Sequence, residues 1–409
     1  MRKLLLLSIL FVCCWKPYVN AQNCPVVLAG ADINLPCTQT CTPFTAKVPE
    51  KKSTEDYTVG AIPYNPYPFV TAAPALTLSC ANQDDKFFAT SNLSFPFCFY
   101  GQTYNALVVG TNGLITFDLS NNLNCNQWEL NSGIAPIPSP LGSGSQCGTS
   151  CPTPSGYLYP RASIMGVYQD IDIDNAAAGK KMEFRIEGTA PCRRAVISFN
   201  NIANFSCSVF STTEIVIYET TNIIEIYIKD KPSGCTWNGD KAVCGIQDWN
   251  KTNGLAPPGR NLGTWGSVGM NEAWQFVPNG ASSLVDHVDL MLNGSVVATG
   301  TLGAVSGGYI DVDFGNVCPP PGTNQYVVRA YYKICNDNPN TYYLEDTVEI
   351  NRVGPFYTNG TPTDVLCNGQ STGQVTFNPI GSSGPYVYSS DGGATYQVSN
   401  VFTGLAAGP

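Results

Sequence analysis

Histidine is almost missing from this sequence. The 409 residues contain one, His287, which removes most metal centres and most general-base constellations at once. Charge is also scarce: 12% of residues are Asp, Glu, Lys or Arg, about half the usual share. Those charges are 30 acidic against 21 basic, a net −9. A nucleic-acid partner needs a basic surface, so that class is excluded. The one long apolar run, residues 4–15, is too short to span a bilayer as a stop-transfer helix, so no transmembrane segment is expected. No helical periodicity appears in the rest of the chain, and with it goes the expectation of a helix-rich enzyme.

What the sequence has is cysteine, glycine and proline. Seventeen cysteines point to an oxidising compartment. Arg2 and Lys3, the apolar run and Val19-Asn20-Ala21 form a secretory signal peptide over residues 1–21. Cys13 follows Val12 rather than a small residue, which disfavours a lipid-modified cysteine. Cleavage after Ala21 leaves fifteen cysteines, an odd number. With 39 Gly and 30 Pro, the composition suits strands joined by many turns, and the length suggests two to four domains.

Residues 164–249 carry the clearest pattern. Lys181–Glu187 alternates Met182, Phe184 and Ile186 with Lys181, Glu183, Arg185 and Glu187. The runs 192–207 and 213–229 are β-branched and aromatic with short polar breaks, the signature of successive antiparallel strands. Asn112-Gly113 between two apolar runs predicts a tight type I′ hairpin. The long loop 119–160 is expected to be tied by Cys125, Cys147 and Cys151. Residues 22–56, with Cys24, Cys37 and Cys41, read as a small disulfide-stapled lead-in.

Several of these pieces resemble a known family. Phe95-Pro96-Phe97-Cys98-Phe99-Tyr100-Gly101, the run Thr111 to Phe117, and Gln169-Asp170-Ile171-Asp172 resemble the nidogen-like extracellular domain. Ala190-Pro191-Cys192, Gly245-Ile246-Gln247 and Asn271-Glu272-Ala273-Trp274-Gln275-Phe276 resemble the N-terminal domain of large Bacteroidetes surface proteins. Together they mark residues 57–278 as a nidogen-like β-domain. Residues 279–352 read as a smaller immunoglobulin-like sandwich, opened by the hairpin at Asn293-Gly294. Residues 353–409, with Asp364-Val365-Leu366-Cys367-Asn368-Gly369 and Asp391-Gly392-Gly393, resemble a SprB-type repeat of gliding-motility adhesins. That repeat normally continues through one more strand and a second cysteine. The chain stops at Pro409 first, so a truncated chain is expected, with Cys367 as the odd thiol.

Candidate chemistry is sparse. Sequence proximity pairs Cys192 with Cys207, Cys235 with Cys244 and Cys318 with Cys335. Zinc at Cys147 and Cys151 is disfavoured in a secreted chain without a histidine cluster. Asp170, Asp172 and Asp174 are calcium candidates, with Asp84 and Asp85 as helpers. Alternate strand residues sit about 7 Å apart, too far for one ion without a bend. A solvated polar face opposite Ile171 and Ile173 is therefore the preferred reading of the Asp170–Asp174 run. Ser371 matches a G-x-S-x-G pattern, but no helix follows and His287 precedes it, so turn composition explains the match. Tyr64, Tyr67, Trp237, Trp249 and Trp265 would form a sugar-stacking platform if exposed, and a sandwich core if not.

The expectation is an all-β, multi-domain secreted chain at the outer cell surface: a nidogen-like head followed by sandwich modules. It is expected to be a non-enzymatic adhesin for surfaces, glycans or proteins, without a cofactor. The resemblance implies gliding motility and export by the type IX secretion machinery. The competing expectation is a carbohydrate-active protein, a lectin-like binder or a glycoside hydrolase, with its site in residues 57–278.

Overall fold

The computed structural model describes residues 24–69, 75–78, 83–128, 130, 136–139, 161–175, 178–354, 357–380 and 384–407. The expected signal peptide, Cys147 and Cys151 lie outside them. Among the described residues the chain is strands, turns and two short 3-10 segments, Leu119–Asn121 and Trp237–Asp240, with no α-helix. The all-β expectation holds.

Two seven-stranded sheets make the large domain. In the first, Tyr57–Ala61, Glu272–Pro278, Ile224–Asp230, Phe210–Tyr218 and Arg194–Asn204 lie side by side, and both Ile171–Asp172 and Lys181–Glu187 pair with the last. The second runs Gly254–Leu255, Lys241–Gln247, Ser163–Tyr168, Leu114–Thr116, Gln102–Gly110 and Ser91–Phe99, with Asn261–Thr264 pairing Lys241–Gln247. Alternate residues such as Ile197, Phe199, Ile215, Ile217, Ile224 and Ile226 point inward and meet Phe97, Phe99, Val109, Ile115 and Ile164 from the other sheet. The sheets approach closely at Gly166, where a Cβ would lie 2.4 Å from a side-chain carbon of Ile215.

The outer face of the first sheet is covered as well. Residues 62–69 lie across it, and Tyr67 joins Val196, Val216, Tyr218, Tyr227 and Ala273 in a second apolar cluster. This corrects the simple inside-out reading of Lys181–Glu187, because Glu183 is fully buried and ion-pairs with Lys181 and Arg185.

The lead-in is also corrected. Residues 24–49 are not a separate stapled segment but part of the second sandwich. Ile33–Leu35 runs parallel to Thr341–Arg352, and Thr42–Pro49 runs antiparallel to Tyr309–Val317. A five-stranded sheet of Ile33–Leu35, Thr341–Arg352, Gly322–Lys333, Val285–Leu292 and Ser295–Thr299 faces a three-stranded sheet of Thr301–Ser306, Tyr309–Val317 and Thr42–Pro49. Val27, Phe44 and Val48 share one core there with Val288, Leu290, Val328 and Ile350. The large domain is therefore an insertion between two parts of the second sandwich. Tyr57–Ala61 pairs Glu272–Pro278, so the insertion enters and leaves on neighbouring strands. Residues 357–405 form a separate three-stranded sheet, Tyr357–Thr363, Gly373–Ile380 and Val401–Leu405.

All three expected disulfides are overturned. Cys192 bonds Cys24, Cys207 bonds Cys235, Cys318 bonds Cys41 and Cys335 bonds Cys98. Cys192 and Cys207 flank the eleven-residue strand Arg194–Asn204, and Cys318 and Cys335 flank the twelve-residue strand Gly322–Lys333. Strands of that length hold their ends about 35–40 Å apart. Cys244 is in mid-strand, its side chain in the sandwich core with a free thiol. Register explains one true pair: Thr42 opposes Val317, which brings Cys41 to Cys318 with Cα atoms 4.0 Å apart. Cys37 and Cys367 are free and exposed.

Cys98–Cys335 joins the large domain to the second sandwich. Beside the joint, Asp337 accepts hydrogen bonds from Thr103 N (3.0 Å) and Oγ1 (2.6 Å). Lys51 is buried at the same joint, 4.9 Å from the ring centroid of Tyr342, and burial pushes its ammonium down to about 7. Peptide mapping under non-reducing conditions is expected to recover Cys98–Cys335 and Cys41–Cys318 as cross-linked peptides. Recovery of Cys318–Cys335 instead would refute this arrangement.

Candidate functional site

The Asn112-Gly113 turn joins Gln102–Gly110 to Leu114–Thr116, as its sequence predicts, but it is neither exposed nor of type I′. Gly113 has φ 85° while Asn112 is not in the left-handed region, and Thr111 and Asn112 are fully buried. A Cβ on Gly113 would lie 2.0 Å from the carbonyl oxygen of Val167, so only glycine fits.

From this turn the Asn112 side chain reaches three segments. Its Nδ2 donates to Asp85 Oδ1 (2.9 Å) and to the Gln127 carbonyl (3.3 Å), and its Oδ1 accepts from Ile171 N (3.1 Å). Its backbone N donates to Asn126 Oδ1 (2.9 Å), and its carbonyl accepts from Gln169 N (3.2 Å). Residues 84–88, 124–128 and 169–171 are thereby gathered at one end of the second sheet.

That convergence brings Asp84, Asp85 and Asp170 together, with one carboxylate oxygen from each within 4.8 Å of the others. Asp85 sits at φ 54°, and Asp170 lies where the chain breaks between Ser163–Tyr168 and Ile171–Asp172. The bend that the 7 Å strand spacing required is present at this break. The solvated-face reading is overturned for Asp170, 7% exposed, and Asp172, 6%, and holds only for Asp174, which is exposed. The original trio does not assemble, however. Asp172 Oδ1 accepts from Asp174 N (2.8 Å) and Asn175 N (3.2 Å), closing its own turn. Asp174 is occupied by Gln83, whose N lies 2.6 Å from Oδ2.

Burial and mutual repulsion hold these acids toward the neutral form. Asp170 is raised to about 8, by burial first and the charge of Asp85 next, against the hydrogen bond from Trp237. Asp84 is raised by burial and by Asp85. Asp85 is raised by burial, opposed by Asn112 and Lys86.

An aromatic shelf adjoins the cluster. Trp237, 39% exposed, donates its indole N–H to Asp170 Oδ2 and lies between Trp128 (centroids 5.6 Å) and Phe205 (5.0 Å). Asn238, the next residue, donates to the Trp128 carbonyl at 3.1 Å and to Asp170 Oδ2 at 3.3 Å. The other aromatics named from the sequence are partly or fully packed: Tyr67 is 9% and Trp265 8% exposed, Tyr64 stands against Tyr227, and Arg161 covers Trp249. Asn112 and Trp128 were missed. The Asn-Gly pair was the available signal, read only as a turn.

Other candidates lie elsewhere. Ser371 is in an exposed turn leading into a strand, and His287 stacks on Tyr331 (4.3 Å) in the second sandwich. Under residues 62–69 a cavity of about 270 Å³ is lined by Tyr64, Tyr67, Ser198, Glu214 and Tyr227. Glu214 is committed there to structure, accepting from Tyr67 N (2.9 Å) and Ser198 Oγ (3.0 Å).

The two-sheet domain and its cystines are those of an extracellular protein. A family model described as NIDO related matches residues 56–261, just over half of the chain, and the chain belongs to that family. Asp84, Asp85, Asn112, Asp170 and Trp237 all fall inside the matched span. No curated protein and no solved structure matches the chain. No helix among the described residues is long and apolar enough to cross a membrane.

Replacing Asn112 with alanine strands buried donors and acceptors on three segments. It is expected to cost about 2–4 kcal/mol in urea unfolding. Glu214 yields a pH dependence. Burial raises its folded-state value to about 7, above the ordinary 4.5. The unfolded chain therefore ionises first, and the protein loses stability as pH rises from about 4.5 to 7. Arg185 lowers and Glu187 raises the same group. Melting curves of Glu214→Gln should lack this part of the slope, and an unchanged slope would exclude Glu214 as its source.

Proposed function

We propose that this chain is a non-enzymatic, secreted adhesin-like protein of the outer cell surface, with the NIDO-related domain as its recognition head. The observation that carries the reading is the Trp237 shelf. A half-exposed indole, fixed through its N–H by a buried carboxylate and flanked by Trp128 and Phe205, is a preorganised surface for a flat apolar ligand face, such as that of a sugar ring. The ligand is accordingly a glycan or a glycosylated protein surface. The resemblance of residues 353–409 to a SprB-type repeat supports a stalk of such repeats, export by the type IX machinery and a role in gliding motility.

The lectin-like version of the carbohydrate reading agrees with the same shelf. The hydrolase version has less support, because an acid and base pair must face a substrate across an open cleft. Glu183 and Glu214 are instead buried under residues 62–69, engaged with Arg185 and Ser198.

A glycan array probed with the secreted chain, followed by a hydrolysis assay on each hit, tests the proposal. Binding without turnover is expected. Trp237→Ala should weaken it about tenfold, equivalent to 1.4 kcal/mol. Turnover that disappears on changing a single Asp or Glu would replace adhesion with catalysis.

A further inference from the structure

We infer that Asp84, Asp85 and Asp170 form a binding site for a hard divalent cation, best matched by Ca²⁺. The inference goes beyond the adhesive reading and does not need it. It rests first on geometry. Oxygens on opposite sides of a Ca²⁺ with bonds of about 2.3–2.6 Å are about 4.6–5.2 Å apart, and the three carboxylates each place an oxygen within 4.8 Å of the others.

A second observation comes from Asp170 alone. Its Oδ2 is taken by Trp237 and Asn238, while Oδ1 is buried and accepts no hydrogen bond. The residue is 7% exposed. A buried carboxylate oxygen without a partner is costly, and a cation held jointly with Asp84 and Asp85 would satisfy it.

The donor set selects the ion. All three ligands are carboxylate oxygens, with no imidazole or thiolate among them, which suits calcium or magnesium over the softer transition metals. Asp84 and Asp85 come from a turn and Asp170 from the break between two strands, and Asp84 is partly exposed, leaving open positions for water or a ligand group. Ca²⁺ tolerates such an irregular, partly hydrated shell, whereas Mg²⁺ demands near-octahedral geometry. Asp172 adds negative charge beside Asp84, and Lys86 offsets part of it at Asp85.

The tryptophans supply a local readout. Tb³⁺ occupies Ca²⁺ sites and emits when a nearby indole is excited. The secreted chain, stripped with a chelator, should show sensitised Tb³⁺ emission that Ca²⁺ displaces, with half-saturation in the range of about 0.1–1 mM usual for extracellular modules. Calorimetric titration should give one site, and the melting temperature should rise with Ca²⁺. Asp84→Asn changes a partly exposed ligand and should fold while losing about tenfold or more in Ca²⁺ affinity. Asp170→Asn should do the same. Three outcomes overturn the inference: no emission, heat or stabilisation at several times that concentration; wild-type Ca²⁺ affinity in both variants; or Mg²⁺ displacing Tb³⁺ as well as Ca²⁺ does.

Discussion

Buried polar groups must find partners, and in the NIDO-related domain that constraint is concentrated on Asn112. One side chain and its peptide group satisfy Asp85, Gln127, Ile171, Asn126 and Gln169. No apolar residue in this place could hold the three segments, because each would keep a stranded donor or acceptor costing about 1–3 kcal/mol. Gly113 makes the arrangement possible by letting the turn pass under the Val167 carbonyl. The acidic cluster and the aromatic shelf both follow from this packing: Asp85 and Asp170 are positioned by segments that Asn112 ties, and Trp237 is oriented by Asp170.

The first sheet shows the same rule at larger scale. Its inward residues fill the sandwich, and its outward ones lie under residues 62–69 rather than in water. Charges there must be neutralised internally. Arg185 meets Glu183 and Glu187, Arg194 meets Glu187 while lying over the Tyr67 ring at 3.9 Å, and Glu214 holds the covering segment by its Tyr67 amide. A low overall charge content fits such a chain, since few of its charged side chains can be left to solvent on this face.

The fold class was legible because period-two alternation is a local property, and strands such as Lys181–Glu187 and Tyr309–Val317 carry it within seven to nine residues. The cystines were not legible, because they depend on which strands become neighbours. Of the four pairs resolved among the described residues, three span 168, 237 and 277 residues. Proximity in sequence misled for a plain reason: cysteines that bracket a long strand are held apart by it. The acidic site was half legible. Asp84, Asp85 and Asp170 were all named, but only the fold could remove Asp172, whose carboxylate closes its own turn, and Asp174, whose carboxylate is held by Gln83. Their replacement by a cluster from two chain segments required the break after Tyr168, which alternation alone cannot reveal.

Insertion of the head into the second sandwich has a mechanical consequence. Residues 57–278 lie wholly inside the loop closed by Cys41–Cys318, so tension between Thr42–Pro49 and Gly322–Lys333 has a covalent route through that bond that does not cross the head. A load taken up at the head itself follows other routes. It travels through the neck, where Ser53 N bonds the Ser282 carbonyl (2.8 Å) and Leu284 N bonds the Lys51 carbonyl (2.7 Å). In parallel it travels through two disulfides to the same sandwich, Cys98–Cys335 from the head's edge strand Ser91–Phe99 and Cys24–Cys192 from beside Arg194–Asn204. Hydrogen bonds in the neck can yield under force while the two covalent links keep the modules together.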